Sequence, residues 1–151
     1  MSYELVKRRC RLKMHRILSI YLISFLIANA DGLFSITRIH YRGGGDWYSD
    51  QSSIPNLLEF IDKNTNIPID LIEKKSKIGG DIFNSSPYLY LTGHGNIKFS
   101  DEEAIILRNH LLSGAFLHAD DNYGMDESFR EEMGKVFPDK EWIEIPFNHK
   151  L

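Results

Sequence analysis

The sequence predicts an α/β domain built on an open, mostly parallel sheet wound on both faces. Three observations predict it. Apolar runs of strand length, rich in branched and aromatic residues, alternate with stretches of helical periodicity between Leu33 and Ile145. The connections between them are short, and such alternation favours parallel strands joined by right-handed crossovers. The run Tyr88-Leu89-Tyr90-Leu91-Thr92 reads as a strand buried on both sides, as the centre of a parallel sheet requires.

Leu33 to Tyr41 has the period-two pattern of a first strand, broken by Arg42-Gly43-Gly44-Gly45-Asp46. A helix follows, with Ser53 as its cap, Pro55 in its early turn and Leu57, Leu58 and Ile61 as its apolar stripe, running to about Asn64. Ile67 to Ile72 suggests a second strand, with Pro68 near its start where a missing donor matters least. A polar, glycine-containing stretch from Lys74 to Ser86 includes a short helix around Asp81 to Asn84, and Tyr88 to Thr92 is the third strand. Ser100-Asp101-Glu102-Glu103 is a capping box, with Ala104, Leu107 and Leu111 behind it and Gly114 where a helix ends. Ala115 to Ala119 is the fourth strand. Asp126 stands as N-cap for a helix over Glu127 to Val136 whose Phe129, Met133 and Val136 face inward, and Pro138 stops it. Glu141 to Ile145 is expected as a fifth strand.

The first thirty residues differ from the rest. Six basic residues between Lys7 and Arg16 precede an apolar run from Ile17 to Ile27 that ends in Ala28-Asn29-Ala30. This is the pattern of a cleavable secretory signal, so residues 1–30 are read as a signal peptide and 31–151 as a single α/β domain. The alternatives are a buried N-terminal helix and an uncleaved inner-membrane anchor, for which the run is short of the roughly 20 residues a bilayer requires. Met14 is an alternative start, since a basic residue and the same apolar run follow it. The expected location is the periplasm or the exterior of the cell.

Without the leader, 12 basic and 20 acidic residues remain, a formal charge of about −8. No basic patch is visible, which argues against nucleic acid as a partner. Cys10 is the only cysteine and precedes the apolar run, so the domain has no disulfide, thiolate metal site, cysteine nucleophile or acylated cleavage-site cysteine.

Two segments run from apolar strand into polar turn: Pro87 to Gly95, ending Thr92-Gly93-His94-Gly95, and Gly114 to Gly124, containing His118-Ala119-Asp120-Asp121. Strand ends of a parallel sheet lie on one rim, so these residues converge as a candidate site. Asp46, Trp47, Gly93, His94, Gly95, Asp120 and Asp121 are the candidate ligand-binding residues. The bland reading of His94 is a turn residue bonded to its neighbours. For the later segment it is His118 as a hydrogen-bonded core group, with both aspartates satisfying loop amides. Strand alternation puts His118 and Asp120 on one face and frees Asp121 to cap the next loop. An imidazole and carboxylate set of His94, His118, Asp120 and Asp121 would suit a divalent metal and a metal-dependent hydrolase, although no fixed metal-motif spacing is present and no cofactor is expected otherwise. Gly43-Gly44-Gly45 has neither a P-loop lysine nor G-x-G-x-x-G spacing, and Asp46 would repel a phosphate there; a flexible or tight turn is the simpler reading. No G-x-S-x-G or cysteine elbow occurs.

Tyr41 to Tyr48, Pro87 to Gly95, Gly114 to Asp121 and Phe137-Pro138-Asp139 together resemble a bacterial family known as domain of unknown function 4159. These segments span nearly all of residues 33–151. The resemblance implies a flavodoxin-like sheet, a variant of the class I glutamine amidotransferase-like fold, in an exported protein without an established activity. Amidotransferases of this fold place a cysteine after the strand that resembles Ala115 to Ala119, where this chain has aspartates; glutaminase chemistry is therefore not expected. The resemblance further implies strand and loop segments past the His149 region, and so a domain incomplete at its C-terminus. The expected role is binding a small ligand or an envelope protein, either as a ligand-binding domain or as a non-catalytic module of an envelope complex. The membrane enters only through an uncleaved leader.

Overall fold

In the computed structural model, residues 32–149 are described; the leader reading lies outside them. Four strands and four helices follow in order: β1 (Ile36–Ile39), α1 (Ser53–Asn64), β2 (Lys74–Ser76), α2 (Asp81–Asn84), β3 (Tyr88–His94), α3 (Asp101–Leu112), β4 (Phe116–Tyr123) and α4 (Asp126–Val136). The sheet order is β2-β1-β3-β4, and every neighbouring pair is parallel. The architecture is α/β, consistent with a flavodoxin-like fold.

Strand alternation divides the core in two. Ile36 and Tyr90 pack with Ile54 and Leu58 of α1 on one face. Leu89 and Leu91 pack with Ala104 and Leu107 of α3 and Val136 of α4 on the other. β3 sits between β1 and β4 and its five interior residues are buried, as its continuous apolar pattern requires. The capping box forms as expected: Ser100 Oγ accepts the Glu103 amide at 3.1 Å, and Glu103 Oε2 accepts the Ser100 amide at 2.7 Å.

The second strand is displaced from its expected place. Phe34 and Ile69 form only an isolated bridge, and the ladder resumes at Lys74–Ser76. Pro68 has no amide to donate, and Asp70 turns the chain by accepting the Ile72 amide at 3.0 Å, leaving Ile72 exposed. The polar Lys74-Lys75-Ser76 forms the sheet edge instead, where lysines discourage pairing with another chain.

Two caps also differ from expectation. Helix α1 begins one residue earlier, behind Ser52, while Ser53 Oγ bonds the Asp50 carbonyl. Helix α4 has Met125 as N-cap and Asp126 as its first residue. The capping side chain is Asp121, which accepts the Met125 and Asp126 amides at 2.9 and 3.0 Å. The expected outward turn of Asp121 thus occurs.

The fifth strand does not form: Glu141 to Ile145 carries no ladder. Trp142 lies instead against α4, with its ring 5.8 Å from that of Phe129 and under the Arg130 guanidinium. A strand beside β4 would bring Glu141 and Glu144 alongside a strand holding Asp120 and Asp121, and like charges on adjacent strands repel.

Glu132 joins α4 to the turn after β3. Its side chain is only 2% exposed, pairs with Lys135 at 2.7 Å and Lys98 at 3.2 Å, and accepts the Phe99 amide at 2.8 Å. Burial pushes its carboxyl up, but the hydrogen bonds from Lys135, Phe99 and Lys98 outweigh it and hold the group below the ordinary 4.5. A lowered folded value means a contribution that is complete above the unfolded value and fades as pH falls through the folded one. Glu132→Gln should therefore cost about 1–2 kcal/mol at neutral pH, because both lysines are partly solvated. The difference from wild type should shrink as pH falls below that ordinary value; urea titrations of both proteins across this range would show it, and a constant difference would contradict the assignment.

Candidate functional site

β1 connects to β2 on one side and β3 pairs on its other side, so the order of strands reverses between β1 and β3. The crevice beyond the carboxyl ends of such a pair is where open α/β sheets hold ligands. Asp46, from the turn after β1, meets His94, the last residue of β3, at this point.

The Asp46 carboxylate accepts the His94 backbone amide through Oδ1 and lies 3.1 Å from His94 Nδ1 through Oδ2. The Asp46 amide in turn donates to the His94 carbonyl at 3.3 Å. Chiefly because of the His94 amide, and then of the imidazole, Asp46 is held below the usual carboxylate range. An ionised carboxylate only accepts, so Nδ1 carries the proton that faces Asp46, and Nε2 lies on the side of the ring away from it. The side chain is 54% exposed, which leaves that nitrogen available.

Glycines permit this approach. The amide of Gly45 donates to the Asn96 carbonyl at 3.0 Å and that of Lys98 to the Arg42 carbonyl at 2.6 Å, so the two loops run against each other backbone to backbone. A Cβ on Gly43 would stand 2.6 Å from the Ile97 carbonyl carbon, and one on Gly93 2.3 Å from Tyr41 Oη. The triple glycine is a close-packed turn, and its Gly45 amide is already committed. Tyr41 lies beneath, 4% exposed and donating to the Thr92 carbonyl at 3.1 Å. Burial, followed by the Asp46 charge, pushes its phenol up to about 12, so it stays protonated as a buried strut.

Arg38 holds the loop that carries Asp46. It is 1% exposed on β1, pairs with Glu73, and donates to the carbonyls of Ser49 at 2.7 Å and Asp50 at 3.1 Å, with a longer bond to that of Trp47 at 3.4 Å. Asn122 of β4 ties the same loop through Ser49 Oγ and the Asp50 carboxylate. Neither residue stood among the candidates from sequence. Arg38 had a signal, because a charge in the middle of a buried first strand must find partners.

The remaining candidates take different places. Gly95 adjoins the pair and donates its amide to the Tyr123 carbonyl at 3.3 Å. Trp47 stacks on His40 at 4.2 Å and packs against the core. His118 and Asp120 share one face, as alternation predicts, and are engaged by Tyr88 Oη at 2.9 Å and Tyr90 Oη at 3.0 Å. Asp121 points to the opposite face and caps α4. The quartet His94, His118, Asp120 and Asp121 therefore has no common point, and among the described residues no group of three or more histidine, cysteine, aspartate or glutamate side chains is placed to hold a metal ion.

A four-stranded parallel α/β domain with a histidine–aspartate pair at its switch point is the class that fold and site define. The chain belongs to the family described as "Domain of unknown function (DUF4159)", which it matches over residues 35–151. No curated protein matches it.

Proposed function

We propose that this chain is an exported, non-glutaminase domain that binds a small ligand at the rim between β1 and β3, with His94 as the contacting side chain. The observation that carries the reading is the Asp46–His94 pair at the topological switch point. Asp46 fixes the ring from behind, so Nε2 is presented to the ligand. Gly93, packed against Tyr41 and Asp46, allows the two loops to close behind the ring. The basic leader with its apolar run and Ala-Asn-Ala ending supports export. The absence of a cysteine beyond Cys10 supports binding without glutaminase chemistry.

His94→Ala tests this directly, since the half-exposed ring carries little packing. Nitrogen-detected histidine spectra would be recorded while a library of small polar metabolites is added. At least one compound is expected to shift the His94 ring signals in wild type and to lose at least tenfold in affinity in His94→Ala, with the melting temperature unchanged. A melting temperature that falls while binding persists would make His94 structural.

A further inference from the structure

A cavity opens on the same edge of the sheet, away from the His94 ring. It has a volume of about 420 Å³, within the metabolite range, and lies among the ends of β1 and β2 and the start of α3. Its polar wall is built by His40, Arg42 and Lys77, its apolar part includes Ile78 and Ile106, and Glu102 stands on the helix side.

The pairing of charges singles out this wall. Nine of the described lysines and arginines have a carboxylate within 4.0 Å; Lys77 and Lys140 have none among the described residues. In a chain with more acidic than basic residues, an unpaired lysine facing a cavity is conspicuous. The imidazole of His40 is stacked on Trp47, and its nitrogens have no hydrogen-bond partner among the described residues. Glu103 is already engaged by Arg42 and by the Ser100 amide, so its charge is largely answered.

We propose that this cavity is an anion subsite, in which Lys77 and His40, with Arg42 beside them, receive a phosphate or carboxylate group of a metabolite-sized molecule. An ammonium group without a carboxylate partner among the described residues, set in a concave site, raises the local concentration of anions. Glu102 across the cavity favours a molecule that also carries a hydroxyl or amine donor and disfavours a polyanion. The subsite does not depend on His94.

Calorimetric titration with inorganic phosphate and, separately, with acetate tests it, against sodium chloride at equal ionic strength. Saturable binding of phosphate or of acetate by wild type is expected, and the tighter probe identifies the group. Lys77→Glu should weaken that binding at least tenfold, and Lys77→Gln, which keeps a neutral side chain should the first variant fold poorly, at least threefold. Lys140→Glu should bind as wild type. Binding of neither anion, an equal response to chloride, or unchanged affinity in both Lys77 variants would overturn the proposal.

Discussion

Arg38→Met is expected to lose about 3–5 kcal/mol of folding free energy, the cost of breaking a buried ion pair by removing one partner. Methionine fills much of the stem volume but leaves Glu73, whose side chain is 11% exposed, with only the half-exposed Lys75 at 3.5 Å as its cation. It also strips the Ser49 carbonyl of its donor and the Asp50 carbonyl of one of its three, in a loop where Asp50 already sits at φ 50°. Urea denaturation measures the loss. Adding Glu73→Gln to Arg38→Met should recover part of it, because the poorly compensated charge disappears; the Ser49 carbonyl still lacks its donor, so recovery is incomplete. The loosened loop carries Asp46, and the His94 ring signals should move toward those of an unpaired imidazole. A loss below about 1 kcal/mol would mean that water replaces the guanidinium freely, and that Arg38 does not position the site.

Gly43→Ala is the second large effect, at about 2–4 kcal/mol, or a fall of roughly 10 °C in melting temperature. The new methyl group would meet the Ile97 carbonyl carbon at 2.6 Å, Lys98 N at 2.7 Å and the Asn96 oxygen at 2.8 Å, all backbone atoms that cannot rotate away. Gly44→Ala is the internal control. Gly44 also has a left-handed φ, +92°, but nothing lies within 4 Å of its added methyl, so only the conformational cost of about 1–2 kcal/mol applies. Equal losses for the two variants in thermal melts would show that close packing of the two loops is not what the glycines provide.

Both variants act on one structural point: the Asp46–His94 pair exists because two loops are held together from both sides. The pairing was only half legible beforehand. Asp46, His94 and their flanking glycines stand out in a linear reading, since each follows an apolar strand and sits among permissive residues. Their pairing with each other was not readable, because it depends on β1 and β3 being neighbours and on loop positions 48 residues apart in sequence. His118 and Asp120 show the opposite case. Their shared face followed from alternation, but their engagement by Tyr88 and Tyr90 depends on register across the β3–β4 pair.

The misplaced strands have the same origin. Ile67 to Ile72 and Glu141 to Ile145 have the composition of strands, and composition reports what a segment can do when a partner is present. Pro68 and Asp70 turned the first away from a continuous ladder. Acidic neighbours on β4 and a nearby aromatic surface on α4 diverted the second. The polar Lys74-Lys75-Ser76 became β2 because it lay where β1 needed an edge partner.

By itself the sequence determined the α/β class, the helix at the Ser100 capping box, the doubly buried β3 and the family to which the chain belongs. These depend on local chemistry and on periodicity, which are written along the chain. Only the tertiary structure decided that Asp46 pairs with His94, that Arg38 and Asn122 hold the loop between them, and that Lys77 lines a cavity without a carboxylate partner among the described residues. Each is a contact between segments distant in sequence. Strand order and register set which of them meet, and neither is encoded in any short stretch of residues.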